Sequence, residues 1–424
     1  MRRDLVSGVR TYLARNPWAQ AWDDALPAPK PELKLCIVIP SLAESRLLPR
    51  VLESLQAGRR LAEAEVIVLV NNAEHASPEI LADNAATLQL QTQYRDTLLP
   101  IYFVDRALPP RGMPEAHAGV GLARRLGLDL ALARLAQVGD LEVAALACLD
   151  ADSPVAPGYI DTLLDTFGVT PPPVAGYCAY AHPLPSDPAL RPAGVAYELW
   201  LRYLTAGLRA AGSWFAFPTV GSCMVVSAAA YAQVGGLEPR QAAEDFHFLR
   251  KLAKLSGERP LAAIDSALVF PEARVSGRVP FGTGRAMQRS LEEGADFYLW
   301  VDPASAFLDL AVFFQALPAA FDDLTGLHNL PPRLSAFLEE EKAWVILEKF
   351  QKTYPSSRQF VTAGQHWFDS LRIIRYAHVA GRLEGNQWIF SAWRMLLESL
   401  GLWGNFKTLE MPGPGNQDTE LHFQ

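Results

Sequence analysis

Between Leu35 and Leu149, short blocks of consecutive apolar residues alternate with longer segments whose apolar residues recur at every third or fourth position. Leu35-Cys36-Ile37-Val38-Ile39-Pro40 is too short for a helix and rich in β-branched residues, so it predicts a buried strand. Val66 to Val70, ended by Asn71-Asn72, predicts a second, Ile101 to Val104 a third, and Val143 to Leu149 a fourth that runs into Asp150-Ala151-Asp152. The segments between them, Leu47 to Leu55, Pro78 to Gln93 and Ala116 to Ala136, carry helical spacing. Strands that are apolar almost throughout and separated by helices imply a mostly parallel α/β sheet covered on both faces. Right-handed crossovers then make it doubly wound, with ligands beyond the carboxyl ends of its strands. Ser41 to Glu44, Asn71-Asn72 and Asp150-Ala151-Asp152 all fall at those ends.

The flanking regions read differently. Leu5 to Ala21 predicts a short helix, followed by a Pro/Ala-rich linker from Pro27 to Pro31. Past residue 153 the strands shorten (Val174 to Tyr180, Cys223 to Ser227, Ala267 to Phe270). From about residue 290 the pattern is mostly amphipathic helix, clearest at Leu334 to Tyr354 and Gln387 to Leu402. The expected organisation is an N-terminal helix and linker over 1–33, an α/β domain over 34–290, and a largely α-helical region over 291–424.

Composition narrows the partners. Half of the 424 residues are hydrophobic and a fifth are charged, enough apolar surface for a core and contrary to disorder. The 46 acidic residues outnumber the 38 basic ones, for a net charge of −8. That balance excludes a general affinity for nucleic acid or an anionic membrane, and an anionic ligand would need a local metal or arginine site. Cys36, Cys148, Cys178 and Cys223 lie in apolar runs without C-x-x-C spacing, so they read as buried free thiols in a reducing compartment. Ala304 to Phe321, the best membrane candidate, is interrupted by Asp309, Gln315 and Pro318, and no apolar segment follows Arg2 and Arg3. A cytoplasmic protein is expected, and a homo-oligomer is compatible with the sequence.

Two acidic pairs could carry chemistry. The single D-x-D of the chain, Asp150-Ala151-Asp152, follows a buried strand, where two carboxylates can hold Mg2+ or Mn2+ and through it a diphosphate. It equally fits a strand-to-helix turn in which Asp152 or Ser153 caps the next helix. Glu244-Asp245 opens a helix, where acidic residues also occur simply to complement the macrodipole. The stretch from Glu272 to Arg285 sets Arg274, Arg278 and Arg285 among glycines, as a phosphate-clamping loop or a solvated one would. His247 could approach this chemistry but reads more simply as a helix-surface residue. The eight histidines show no metal-ligand spacing. Trp200, Tyr203, Trp214 and Phe215 form an aromatic cluster that suits core packing better than sugar stacking.

Taken together, Ile39-Pro40 with Glu44, the D-x-D, the Gly221-Ser222 strand ending at Ser227, the Gly235-Gly236-Leu237 turn and Glu244-Asp245 resemble the nucleotide-sugar-dependent glycosyltransferases of the GT-A fold, the family 2 type most closely. The resemblance spans about residues 34–290. It implies that Pro40 and Glu44 lie at the donor nucleotide, and that Asn71 stands where the family usually has a base-reading aspartate. It implies that Asp150 and Asp152 form the metal-and-diphosphate motif, with Asp152 the direct ligand, and that Asp245 is the catalytic base with Glu244 beside it. Arg274 and Arg278 would face the diphosphate. Of the Q-x-x-R-W motif carried by processive members, only Gln288-Arg289 is present. The expected function is metal-dependent transfer of a sugar from a nucleoside-diphosphate sugar to an unidentified hydroxyl acceptor, with inversion. Two other readings stay open: a retaining transferase on the same fold, and a catalytically silent domain that binds nucleotide or a partner protein.

Overall fold

The sheet expected from the apolar runs is present and has seven strands, in the order β3-β2-β1-β4-β6-β5-β7. In the computed structural model, which describes residues 2–16, 26–277, 282–402 and 404, the strands are β1 (Leu35–Ser41), β2 (Ala64–Asn71), β3 (Ile101–Arg106), β4 (Ala145–Cys148), β5 (Ala175–Tyr180), β6 (Met224–Ser227) and β7 (Ala262–Val269). β1 pairs in parallel with β2 and β4, and β2 with β3. Only β6 runs against its neighbours, antiparallel to both β4 and β5, while β5 and β7 are parallel. Every residue of β2 is buried, as expected of a central parallel strand whose two faces are both covered. This is the α/β, mostly parallel, doubly wound sheet predicted, and a GT-A domain is built on such a sheet.

The chain divides into two compact units: residues 1–185, 219–256 and 261–285, and residues 186–218, 257–260 and 286–424. The first holds the sheet with helices α1 (Arg2–Arg15), α2 (Leu48–Leu55), α3 (Pro78–Gln89), α4 (Val120–Val138) and α5 (Tyr159–Phe167), and further along the chain α7 (Ala228–Gln233) and α8 (Glu244–Ser256). Helix α4 is the most enclosed, with every residue from Gly121 to Leu135 buried except Ala133. It lies directly on β1: a Cβ at Gly127 would collide with the side chain of Val38. Four charged residues, Arg124, Arg125, Asp129 and Arg134, are buried along it.

The second unit is helical. It contains α6 (Arg191–Ala210), most of α9 (Thr283–Glu293), then α10 (Ala304–Ala320), α11 (Pro332–Glu340), α12 (Ala343–Thr353), α13 (Ser357–Trp367), α14 (Ser370–Glu384) and α15 (Ile389–Ser399), with a two-stranded ribbon of β8 (Trp300–Val301) and β9 (Gln387–Trp388). Its core gathers Tyr203, Phe307, Phe313, Phe360, Phe368 and Tyr376, all fully buried. Tyr203, from the predicted aromatic cluster, donates to Asp302 O at 2.7 Å, and Trp200 stacks on Tyr197, so these two residues serve packing.

Local patterning misplaced several boundaries. The single helix expected over Leu334 to Tyr354 is two, broken where Lys342 takes a left-handed conformation at φ +56°. Gln387-Trp388 form a strand before the helix expected there begins. β7 starts at Ala262 rather than Ala267, because it is an edge strand whose exposed Asp265 and Ser266 hide the apolar signal. The N-terminal helix closes at Arg15, and residues 17–25 of the expected span lie outside the described residues. Among the described residues, no helix is long and apolar enough to cross a membrane.

Candidate functional site

The carboxyl ends of β1, β2 and β4 lie side by side, and the loops leaving them bring the predicted residues together. β1 ends at Ser41, and Ala43 then takes φ +51°, its N–H donating to Asn84 Oδ1 at 2.9 Å. That turn presents Glu44, which is buried and accepts from Arg274. Asp150 and Asp152 follow β4 directly, and no helix starts there. The next one, α5, begins at Tyr159 with Gly158 at its cap, so neither Asp152 nor Ser153 is a helix cap.

Arg274 arrives from the other side of the sheet. Phe270 N donates to Pro154 O at 2.8 Å and Ala156 N to Leu268 O at 2.9 Å, which ties the end of β7 to the segment after the D-x-D. Arg274 then places Nη2 at 2.9 Å and Nε at 3.2 Å from Asp152 Oδ2 while also pairing with Glu44. Its predicted companion, Arg278, lies outside the described residues. Burial and the charges of Asp150 and Glu44 hold the Asp152 carboxyl above the ordinary aspartate range, with Arg274 opposing them.

The second acidic pair opens α8. Ala243, immediately before it, is also left-handed, at φ +57°. The carboxylates at Glu44 and Glu244 are therefore each introduced by a non-glycine residue in a sparsely populated conformation, a form of backbone strain that clusters at functional sites. Glu244 is 3% exposed, whereas a residue serving only the helix dipole would stay solvated. Asp245 keeps part of its surface open yet is densely surrounded. That burial, with the neighbouring Glu244 charge, pushes its carboxyl up to about 6 despite the opposing Arg124. A carboxylate so tuned suits general-base work near neutral pH.

Arg124 joins the two pairs, and sequence reasoning missed it. From α4 its Nη2 donates to Asp150 Oδ1 at 2.5 Å and its Nη1 to Glu244 Oε1. The signal was present as an arginine in the apolar stretch Gly121-Leu122-Ala123-Arg124, since a buried guanidinium requires a carboxylate.

Pro40 sits in β1 opposite Leu69. Asn71, at the end of β2, is buried, and its Nδ2 donates to Ser41 O at 3.2 Å and Leu69 O at 3.1 Å, tying the ends of β1 and β2 together. His247 packs edge-on against Phe246, and His117 is exposed in the segment before α4. The four cysteines are buried free thiols.

A divalent cation fits the chemistry of this cluster. Among the described residues, Glu44, Asp150, Asp152, Glu244 and Asp245 gather around the Arg124 and Arg274 guanidinium groups, a set of hard oxygen donors of the kind such a cation prefers. Among the described residues no three His, Cys, Asp or Glu side chains converge as a ready-made cage. A hard cation here would rest on one or two Asp oxygens and complete its shell with phosphate and water, as Mg2+ commonly does.

No protein-family profile matches the chain, and no curated protein matches it. Among solved structures it is similar to S. aureus TarS 1-349 in complex with UDP-GlcNAc, at 12% identity over 79% of this chain and 91% of that one, with a TM-score of 0.40. It is also similar to the mannosyltransferase PcManGT from Pyrobaculum calidifontis in complex with GDP-Man and Mn2+, at 16% identity over 87% of this chain and 100% of that one, with a TM-score of 0.37. Likeness of this degree assigns neither substrate nor residue roles, which rest on the chain's own geometry.

Proposed function

We propose that this chain is a glycosyltransferase of the family 2 type that moves a sugar from a nucleoside-diphosphate sugar to a hydroxyl acceptor with inversion, in a reaction that depends on Mn2+ or Mg2+. The observation that carries the reading is the bridge through Arg124, which joins the D-x-D carboxylate Asp150, at the carboxyl end of β4, to Glu244 of the Glu244-Asp245 pair. Asp245 receives the proton of the acceptor hydroxyl, and its raised proton affinity matches that task. Asp150 and Asp152 would hold the cation, whose chemistry there would be to supply positive charge for the diphosphate. Arg274, with Arg278, supplies further positive charge toward the phosphates. Pro40, Glu44 and Asn71 border the nucleotide. The chemistry is assigned to the α/β domain over 34–290, and the four buried thiols suit the cytoplasm.

The test is thermal unfolding of the full chain against UDP-, GDP-, ADP- and TDP-sugars, each with and without Mn2+ or Mg2+. A ligand at about 100 times its Kd adds roughly 2.7 kcal/mol, a shift of several degrees in Tm. A metal-dependent shift with one donor class, lost in Asp152→Ala, is expected. A chain that responds to none is a silent GT-A-like domain, and the proposal fails. The anomeric configuration of the product, read by NMR, checks inversion.

A further inference from the structure

The reaction above leaves Arg124 as a bridge and gives Gly221 no part. Gly221 ends up beside the site because β6 is antiparallel: Val225 faces Ala147 and Val226 faces Leu146, so the residues preceding β6 lie at the carboxyl end of β4, next to Asp150. Its φ lies outside the left-handed region, so the backbone does not require glycine there. The requirement comes from the space. A Cβ at 221 would collide with the guanidinium of Arg124, 2.5 Å from Nη1 and 2.7 Å from Cζ, and closer still to Nη2. At such distances the guanidinium must shift, and with its side chain only 5% exposed and paired to two carboxylates, a shift disturbs at least one of those pairings.

The arginine is also fixed by what it holds. One end pairs with Glu244, sealed at 3% exposure, and the other with Asp150, 37% exposed and open to solvent. Its Nε is buried, with no hydrogen-bond partner among the described residues. Its two terminal nitrogens are divided between carboxylates that belong to different elements.

We infer that Arg124 is a positioning residue that holds the cation-side carboxylate of Asp150 in register with the Glu244-Asp245 pair, and that Gly221 is glycine to leave room for its guanidinium. The inference rests on the glycosyl-transfer reading, in which leaving group and base flank one sugar at a set separation. A displacement of about 1 Å between such groups can cost on the order of 100-fold in rate.

The experiment compares the full-length wild type with Arg124→Lys, Gly221→Ala and the double variant. Lysine keeps the buried charge but lacks the fork that spans two carboxylates. Unfolding is followed with and without Mn2+ and the nucleoside-diphosphate sugar of the panel that shifts the wild type. Each single substitution is expected to remove about half or more of the Mn2+-dependent donor shift and to lower kcat about tenfold or more. In the Arg124→Lys background, Gly221→Ala should add almost nothing, because no guanidinium remains to displace. Equal effects of Gly221→Ala in both backgrounds overturn the inference, as does an undiminished donor shift in Arg124→Lys. Should Gly221→Ala alone fail to fold, recovery of folding in the double variant supports the inference, and failure there too overturns it. A wild type that responds to no donor overturns the functional reading and the role built on it. A responsive wild type with indifferent variants overturns this inference alone.

Discussion

Helix α4 carries the same interaction at two places and puts it to different uses. Arg134 and Arg124 are almost equally withdrawn from solvent, with side chains 3% and 5% exposed. Arg134 meets one carboxylate, Glu65, with Nε at 2.5 Å and Nη2 at 2.8 Å, gives Nη1 to Pro27 O at 2.9 Å, and lies 4.6 Å above the Tyr102 ring. Glu65 is itself buried and also accepts from the Cys36 thiol at 3.3 Å. That pair is closed, with a bidentate fork and nothing facing solvent. Arg124 instead divides its fork between two carboxylates, one of them open to solvent, and among the described residues its Nε has no partner. A buried ion pair by itself therefore says little about function. Whether its hydrogen-bonding capacity is spent inward or held toward a solvent-facing group is what separates framework from site.

The sharpest test of this contrast is at Asp245. Asp245→Asn should lower transfer by about 100- to 10,000-fold while the donor-induced shift in Tm survives, because the cation side of the site is untouched. In the wild type the rate should climb with pH through about 6 and level off above it, since Asp245 must lose its proton before it can take one. Stability runs the other way. The folded-state proton affinity lies above the unfolded value of roughly 3.9, so the folded chain holds this proton more tightly, and the associated stabilisation fades as pH rises from about 4 through 6. Asp245→Asn should accordingly gain Tm relative to wild type at pH 7 and little at pH 4. A gain that is the same at both pH values would show that the carboxyl is not tuned upward.

Next in size is the framework pair. Arg134→Met strands Glu65 in the core and should cost about 3–5 kcal/mol, read by denaturant unfolding. The Mn2+-dependent donor shift, measured from the lowered baseline, should persist. Its disappearance would mean that the two ends of α4 are not separable. The smallest expected effect is at the backbone. Ala243→Gly relieves a left-handed alanine worth roughly 1 kcal/mol but loosens the unfolded chain, so Tm should rise by no more than about two degrees. A fall would show that φ +57° at Ala243 is held without strain.

The chain's local chemistry made much of this legible. Blocks such as Val66 to Val70 are too apolar and too short for anything but a central strand, and an acidic pair directly after such a strand has few places to go but the binding edge. The Glu244-Asp245 pair opens its helix as its position suggests. Arg124 was harder to see because a charged residue within a helix ordinarily marks a solvated face. Its partners, Asp150 and Glu244, are distant in sequence and come from different elements.

What the sequence determined alone is therefore the strands and helices of the first half of the sheet, their apolar faces and the two acidic pairs, all properties of residues within a few positions of one another. The tertiary structure decided the rest. It turned β6 against its neighbours, which delivers Gly221 to the end of β4. It drew Arg274 back across to Asp152 and Glu44 through the β7 contacts. It also grouped residues 186–218 with the C-terminal helices rather than with the sheet. Each of these depends on which surfaces bury one another, and burial is a relation between segments that periodicity along one segment does not encode.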